Sequence, residues 1–162
     1  MTKKTIETNI KKIFLNENKL GSTYSNDLDR ELTILNKKYP TFINSKVIMR
    51  DMVNSLKIYD KMFFIVNYDN SNLSGSHWVA VIKIDSLVYY FDSYGLRPLT
   101  EVVDKFLKNN RIFYNDTAVQ LNNSKICGQL CLYFIKEMLD NKEFRVVMNK
   151  IYDYSNRYRI DK

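Results

Sequence analysis

Residues 77–92 read HWVAVIKIDSLVYYFD, two dense runs of β-branched and aromatic residues broken only around Asp85-Ser86. Such a pair predicts adjacent antiparallel strands that turn at that dipeptide. With the turn there, Val79 faces Asp92, and alternation puts Val79, Val81, Val88 and Tyr90 on one face with His77 and Asp92. Trp78, Ala80, Ile82, Tyr89 and Phe91 take the other face. Both faces are apolar, so the hairpin belongs inside a sheet covered on each side by helices or loops. The same register makes His77 and Asp92 diagonal neighbours at the end of that sheet. A slip of one residue would separate them across it.

The rest of the chain supplies the cover. MFFIVN from Met62 and RIFYN from Arg111 predict two further strands. Ile6, Ile10, Ile13 and Phe14 recur at helical spacing and predict a first helix ending near Asn18; after the Leu20-Gly21-Ser22-Thr23 break, Asn26 to Leu35 predicts a second, with Pro40 beyond it. Met49, Met52, Val53 and Leu56 form another short helical face. Leu99 to Leu107 reads as helix behind Pro98, Cys127 to Leu139 as a longer one, and residues 141–158 as one or two more. The first sixty residues hold no chemical motif and are expected to cover one side of the core. A chain of 162 residues can bury a core without disulfides or a metal, and no repeat, linker or low-complexity tract divides this one. One domain over 1–162 is expected.

Charge and cysteine content narrow the setting. Lys and Arg outnumber Asp and Glu by 25 to 18, a net +7 that favours a polyanionic or acidic partner, although a soluble basic surface accounts for it equally well. The only cysteines are Cys127 and Cys131, and no opening segment joins basic residues, an apolar core and a small-residue cleavage site. That combination predicts a reducing intracellular compartment. Apolar stretches of about four to six residues are too short to cross a bilayer, so no membrane partner is expected.

Three rare residues could carry chemistry. Cys127 precedes Gly128 and the apolar helical pattern of Leu130, Cys131, Phe134, Ile135 and Met138, which places it at a helix N-terminus. Unpaired amides and the helix dipole favour a thiolate there, with Ser124 as a cap for the opening turn. If the thiol is catalytic, Cys127 attacks a carbonyl, His77 moves the proton and Asp92 orients the imidazole. Gln120 and the Cys127 backbone N–H would then hold the oxyanion. Spacing alone leaves two plainer readings open: His77 as an ordinary partly buried histidine, and Cys127 as a packing cysteine. Cys131, one turn further along an apolar face, reads as core. A zinc site would need a carboxylate beside the two cysteines and one histidine, and no metal is expected. No Gly-rich phosphate loop, Ser-centred elbow, RNA-recognition module or helix-turn-helix signature is present.

GSHWVAVIK, YYFDSYG and VQLNNSKICGQLC with the following YF resemble the adenovirus-type (adenain-like) cysteine proteases and their ubiquitin-like-protein protease relatives. The resemblance runs from Gly75 to about Phe134, and rests on the ordered His, acidic residue, Gln and Cys-Gly. It implies His77 as base, Asp92 as acidic orienter, Gln120 as oxyanion residue and Cys127 as nucleophile. The interval from Gln120 to Cys127 and the aromatic Trp78 beside the base look adenoviral, whereas Asp92 stands where adenoviral enzymes usually carry Glu and their relatives carry Asp.

The resemblance further implies an α+β, papain-like fold with a central, mainly antiparallel sheet packed by helices and the nucleophile third in chain order. The expected activity is that of a thiol endopeptidase processing capsid or core precursors of a virus or virus-like element during maturation, in the virion or the infected cell. No cofactor is required for the chemistry; DNA or a small viral peptide are the activators the resemblance offers. Two alternatives stand beside it: a protease or isopeptidase for a ubiquitin-like protein, and an inactive, basic, nucleic-acid-associated structural protein.

Overall fold

The computed structural model describes residues 6–17, 20, 23–69, 77–120, 125–141 and 143–159. The expected helix end at Asn18, the Gly21-Ser22 break, the Ser74-Gly75-Ser76 turn and the Ser124 cap lie outside the described residues.

Five strands follow one another across a single sheet: β1 (Ile43–Met49), β2 (Lys61–Asn67), β3 (Trp78–Ile84), β4 (Leu87–Phe91) and β5 (Arg111–Tyr114). β2, β3 and β4 are antiparallel, while β1 and β5 join the edges in parallel. The mainly antiparallel arrangement therefore describes the interior, and the sheet as a whole is mixed. The central ladder runs from Ala80 opposite Phe91 to Ile84 opposite Leu87, the register that a turn at Asp85-Ser86 requires. Asp85 has φ 57°, a left-handed conformation that a short polar side chain tolerates.

Parallel neighbours need crossover connections, and both pass over the same face. A 3₁₀ turn (Arg50–Ser55) links β1 to β2, and a helix at Thr100–Phe106 links β4 to β5. Val53, Leu99, Val102 and Phe106 thereby pack on Val79, Val81, Val88 and Tyr90. The opposite face, with Trp78, Ala80, Ile82, Tyr89 and Phe91, is covered by the remaining helices. In chain order the helices are α1 (Ile10–Leu15), α2 (Ser25–Lys38), α3 (Thr100–Phe106), α4 (Cys127–Asn141) and α5 (Phe144–Arg159). Phe91 stacks on Phe134 of α4 at 5.0 Å between centroids, and Tyr89 on Phe144 of α5 at 5.4 Å.

Two local expectations need correction. The first helix starts at Ile10 because the Asn9 side chain accepts the Lys12 N–H at 3.2 Å; Ile6 is buried ahead of it, in non-helical chain. Met49 does not begin a helical face but ends β1, a strand that the sequence reading missed. Among the described residues no helix is long and apolar enough to cross a membrane.

Candidate active site

His77 stands one residue ahead of β3, where its carbonyl accepts the Tyr68 N–H at 2.8 Å and prolongs the pairing with the β2 side. Asp92 stands one residue beyond β4. At this end of the sheet His77 Nε2 and Asp92 Oδ1 lie 2.6 Å apart, and both residues are buried. The same Oδ1 accepts the Tyr94 N–H at 2.8 Å. The Tyr94 ring stacks on the imidazole at 4.3 Å between centroids, and Tyr68 lies against it at 5.9 Å.

Cys127 is the first residue of α4, whose opening bond runs from the Leu130 N–H to the Ile126 carbonyl at 2.9 Å. Its own N–H belongs to the opening turn of the helix. With Nε2 taken by Asp92, the ring nitrogen left for the thiol is Nδ1, which is buried, and Cys127 acts on the proton affinity of the ring. Burial alone would lower the proton affinity of this ring. The hydrogen bonds to Asp92 and Cys127, reinforced by their negative charges, outweigh burial and raise its pKa from 6.5 to about 9. His77 is consequently cationic at neutral pH, the state that stabilises a neighbouring thiolate.

Close contacts around the helix start explain Gly128. A Cβ there would lie 1.9 Å from Thr23 Oγ1 and 3.0 Å from Thr23 Cβ, so any larger residue would force the Thr23 side chain, ahead of α2, to give way. The Thr23 carbonyl in turn accepts the Trp78 indole N–H at 3.3 Å. One turn along α4, the Cys131 thiol donates to the Trp78 carbonyl at 3.4 Å. Burial first, then the charges of Cys127 and Asp92, push the Cys131 thiol well above its ordinary pKa.

Gln120 is buried, and its Oε1 accepts from the Ser93 hydroxyl, which leaves the amide nitrogen as donor. The Val119 N–H bonds to the Ser93 carbonyl at 2.8 Å. Gly95 has φ 66°, and a Cβ on it would come within 2.6 Å of the Thr117 backbone. The turn after β4 therefore grips residues 117–120 while its first residue holds His77. In direct terms the structure brings His77, Asp92 and Cys127 together, and ties Gln120 to the residue next to Asp92. Ser93, Tyr94, Thr23 and Asn115, whose side chain bonds the Asp92 backbone, escaped the sequence reading. Only the adjacency of Ser93 and Tyr94 to Asp92 was visible there. Among the described residues no three His, Cys, Asp or Glu side chains gather as a metal site.

Neither a protein-family model nor a curated protein matches the chain. Solved structures do. The ASFV pS273R protease superposes with a TM-score of 0.57 at 19% identity, over 85% of this chain and 68% of that one. AvrA, in a delL154 form with IP6 and CoA, does so with a TM-score of 0.54 at 17% identity, over 92% and 68%. The chain thus shares the fold of these two structures, an α+β arrangement of one central sheet packed by helices, the fold class expected from its sequence.

Proposed function

We propose that this protein is a thiol endopeptidase working through a Cys127 acyl-enzyme. One observation carries the reading: a buried imidazole, bonded to Asp92 at 2.6 Å and raised to a pKa of about 9, engages a cysteine at the first turn of a helix. The Cys127 sulfur adds to the peptide carbonyl carbon, and the carbonyl electron pair moves to oxygen. Gln120 Nε2 and the Cys127 N–H hold that oxyanion. As it collapses, the C–N bond breaks and His77 gives its proton to the leaving amine. His77 then takes a proton from water, whose oxygen attacks the thioester; the acid departs and the thiolate–imidazolium pair returns.

As substrates we infer capsid or core precursors of a virus or virus-like element, cut during particle assembly in the virion or infected cell. The fold likeness to a viral protease and the +7 charge support this. DNA or a small peptide would act as an activator, with no cofactor needed for the chemistry. Asp92 in the place of Glu favours a second reading, a protease for a ubiquitin-like protein. A panel of structural-precursor peptides against ubiquitin-like C-termini separates the two by which set is cleaved.

The chemistry itself is tested with a cysteine-directed suicide substrate followed by peptide mapping. The expected result is one adduct, on Cys127, that disappears in His77→Ala. Labelling of Cys131 with Cys127 unreacted would reject the mechanism.

A further inference from the structure

Asp92 has an unusual support. Its carboxylate is anchored to its own turn by one bond, from the Tyr94 N–H, and that bond falls on the oxygen that also meets His77. The second oxygen, Oδ2, is buried without a hydrogen-bond partner. Side-chain contacts therefore do little to fix which way the carboxylate faces; its direction is inherited from the backbone that carries it.

That backbone is held by one turn bond, from the Gly95 N–H to the Asp92 carbonyl at 2.9 Å, and by a single side chain. Strand pairing between β4 and β5 ends with Tyr90 opposite Tyr114, so the main chain of Asp92 has left the ladder. Asn115, the residue after β5, takes over: its Oδ1 accepts the Asp92 N–H at 3.0 Å and its Nδ2 donates to the Asp92 carbonyl at 2.6 Å. The same Nδ2 reaches the Thr117 carbonyl at 3.4 Å. Asn115 is itself buried. A carboxamide carries a donor and an acceptor side by side, spaced to clamp both polar atoms of one residue.

We propose that Asn115 is a positioning residue for the His77–Asp92 pair, acting through the Asp92 backbone. Its catalytic meaning rests on the protease reading above; its effect on the pair does not. Loss of the clamp removes the acceptor for the Asp92 N–H and leaves the Asp92 carbonyl to the Gly95 N–H, which loosens the peptide that carries the carboxylate and with it the bond to His77.

The chain contains one histidine, so its imidazole proton resonance can be followed through pH without overlap. Asn115→Ala is expected to lower the titration midpoint of His77 by roughly one unit, with the alkaline edge of peptide turnover moving by the same amount. Asn115→Ser, which keeps a polar hydroxyl at the same position, should shift the midpoint in the same direction by no more than the alanine variant and serves if the alanine variant does not fold. A midpoint unchanged in either folded variant, with only the melting temperature lowered, would reduce Asn115 to a structural residue and overturn the proposal. Titration needs no substrate. A parent protein that cleaves nothing yet shows the midpoint shift would sink the protease reading and leave the Asn115 assignment standing.

Discussion

Cys127 and Cys131 lie one turn apart on the same helix, yet their surroundings give them opposite characters. Cys127 sits where the first-turn amides point and an imidazolium stands beside it. Cys131 is a turn deeper, fully buried, with its proton engaged by the Trp78 carbonyl and its pKa pushed up. Reactivity here depends less on the residue than on whether a helix end and a cation face it. Cys131 still serves the site from a distance, because the carbonyl it holds belongs to the residue next to His77.

The sharpest way to break this contrast is to exchange the losses. Cys127→Ala is expected to abolish acylation by a thiol-directed substrate, a loss of about 10⁴-fold or more in turnover, whereas Cys131→Ala should leave one mapped adduct on Cys127. Equal loss of labelling in both variants would erase the distinction.

Asp92→Asn comes next, with turnover down on the order of 10²- to 10⁴-fold and substrate affinity better preserved. Its pH signature has a definite sign. The folded His77 pKa is raised, so the imidazolium and the stability it contributes are fully present below about 6.5 and are lost as pH rises through about 9. Removing the carboxylate leaves burial, which lowers the pKa, opposed by Cys127 alone, so the alkaline edge of activity should move to lower pH. An edge that stays near 9 would mean another group sets it.

A smaller effect is expected at the oxyanion side. Gln120→Ala should cost about 3 kcal/mol of transition-state stabilisation, roughly a hundredfold in kcat. Ser93→Ala, which leaves Gln120 in place but loosens it, should cost roughly tenfold with KM little changed. A larger effect on KM than on kcat would assign Ser93 to substrate contact instead.

The least effect belongs to Cys131→Ala in the absence of substrate. Loss of one buried bond and one sulfur should lower stability by about 1 kcal/mol, measured by denaturant unfolding. A loss several times larger would mean that Cys131 carries more of the packing at Trp78 than one bond provides.

How much of this was legible in the sequence varied with the range over which each contact acts. The β3–β4 hairpin declared itself because both strands alternate without interruption around one turn. β1 did not: its register shifts between Asn44 and Val47, Lys46 has φ 69°, and Ile48 is the one buried residue of the seven, so no period of two survives. The start of α1 was misplaced because apolar spacing cannot tell an extended Ile6 from a helical one; the Asn9 cap decides it. In the site, His77 and Cys127 drew notice as rare residues at element ends, and Asp92 as the acid that the hairpin register sets beside His77. Asn115 and Thr23 gave no signal, since they act on backbone atoms of residues far along the chain, and an isolated Asn or Thr has no spacing to betray it.

The interlock between Thr23 and Gly128 reaches beyond packing. Because the lead-in to α2 is wedged against the residue following Cys127 and bonded to Trp78, anyone paring the protein to a shorter unit would disturb the surroundings of Cys127 by trimming at residue 23. A bulky tag spliced there should be felt at the sulfur, more than 100 residues downstream.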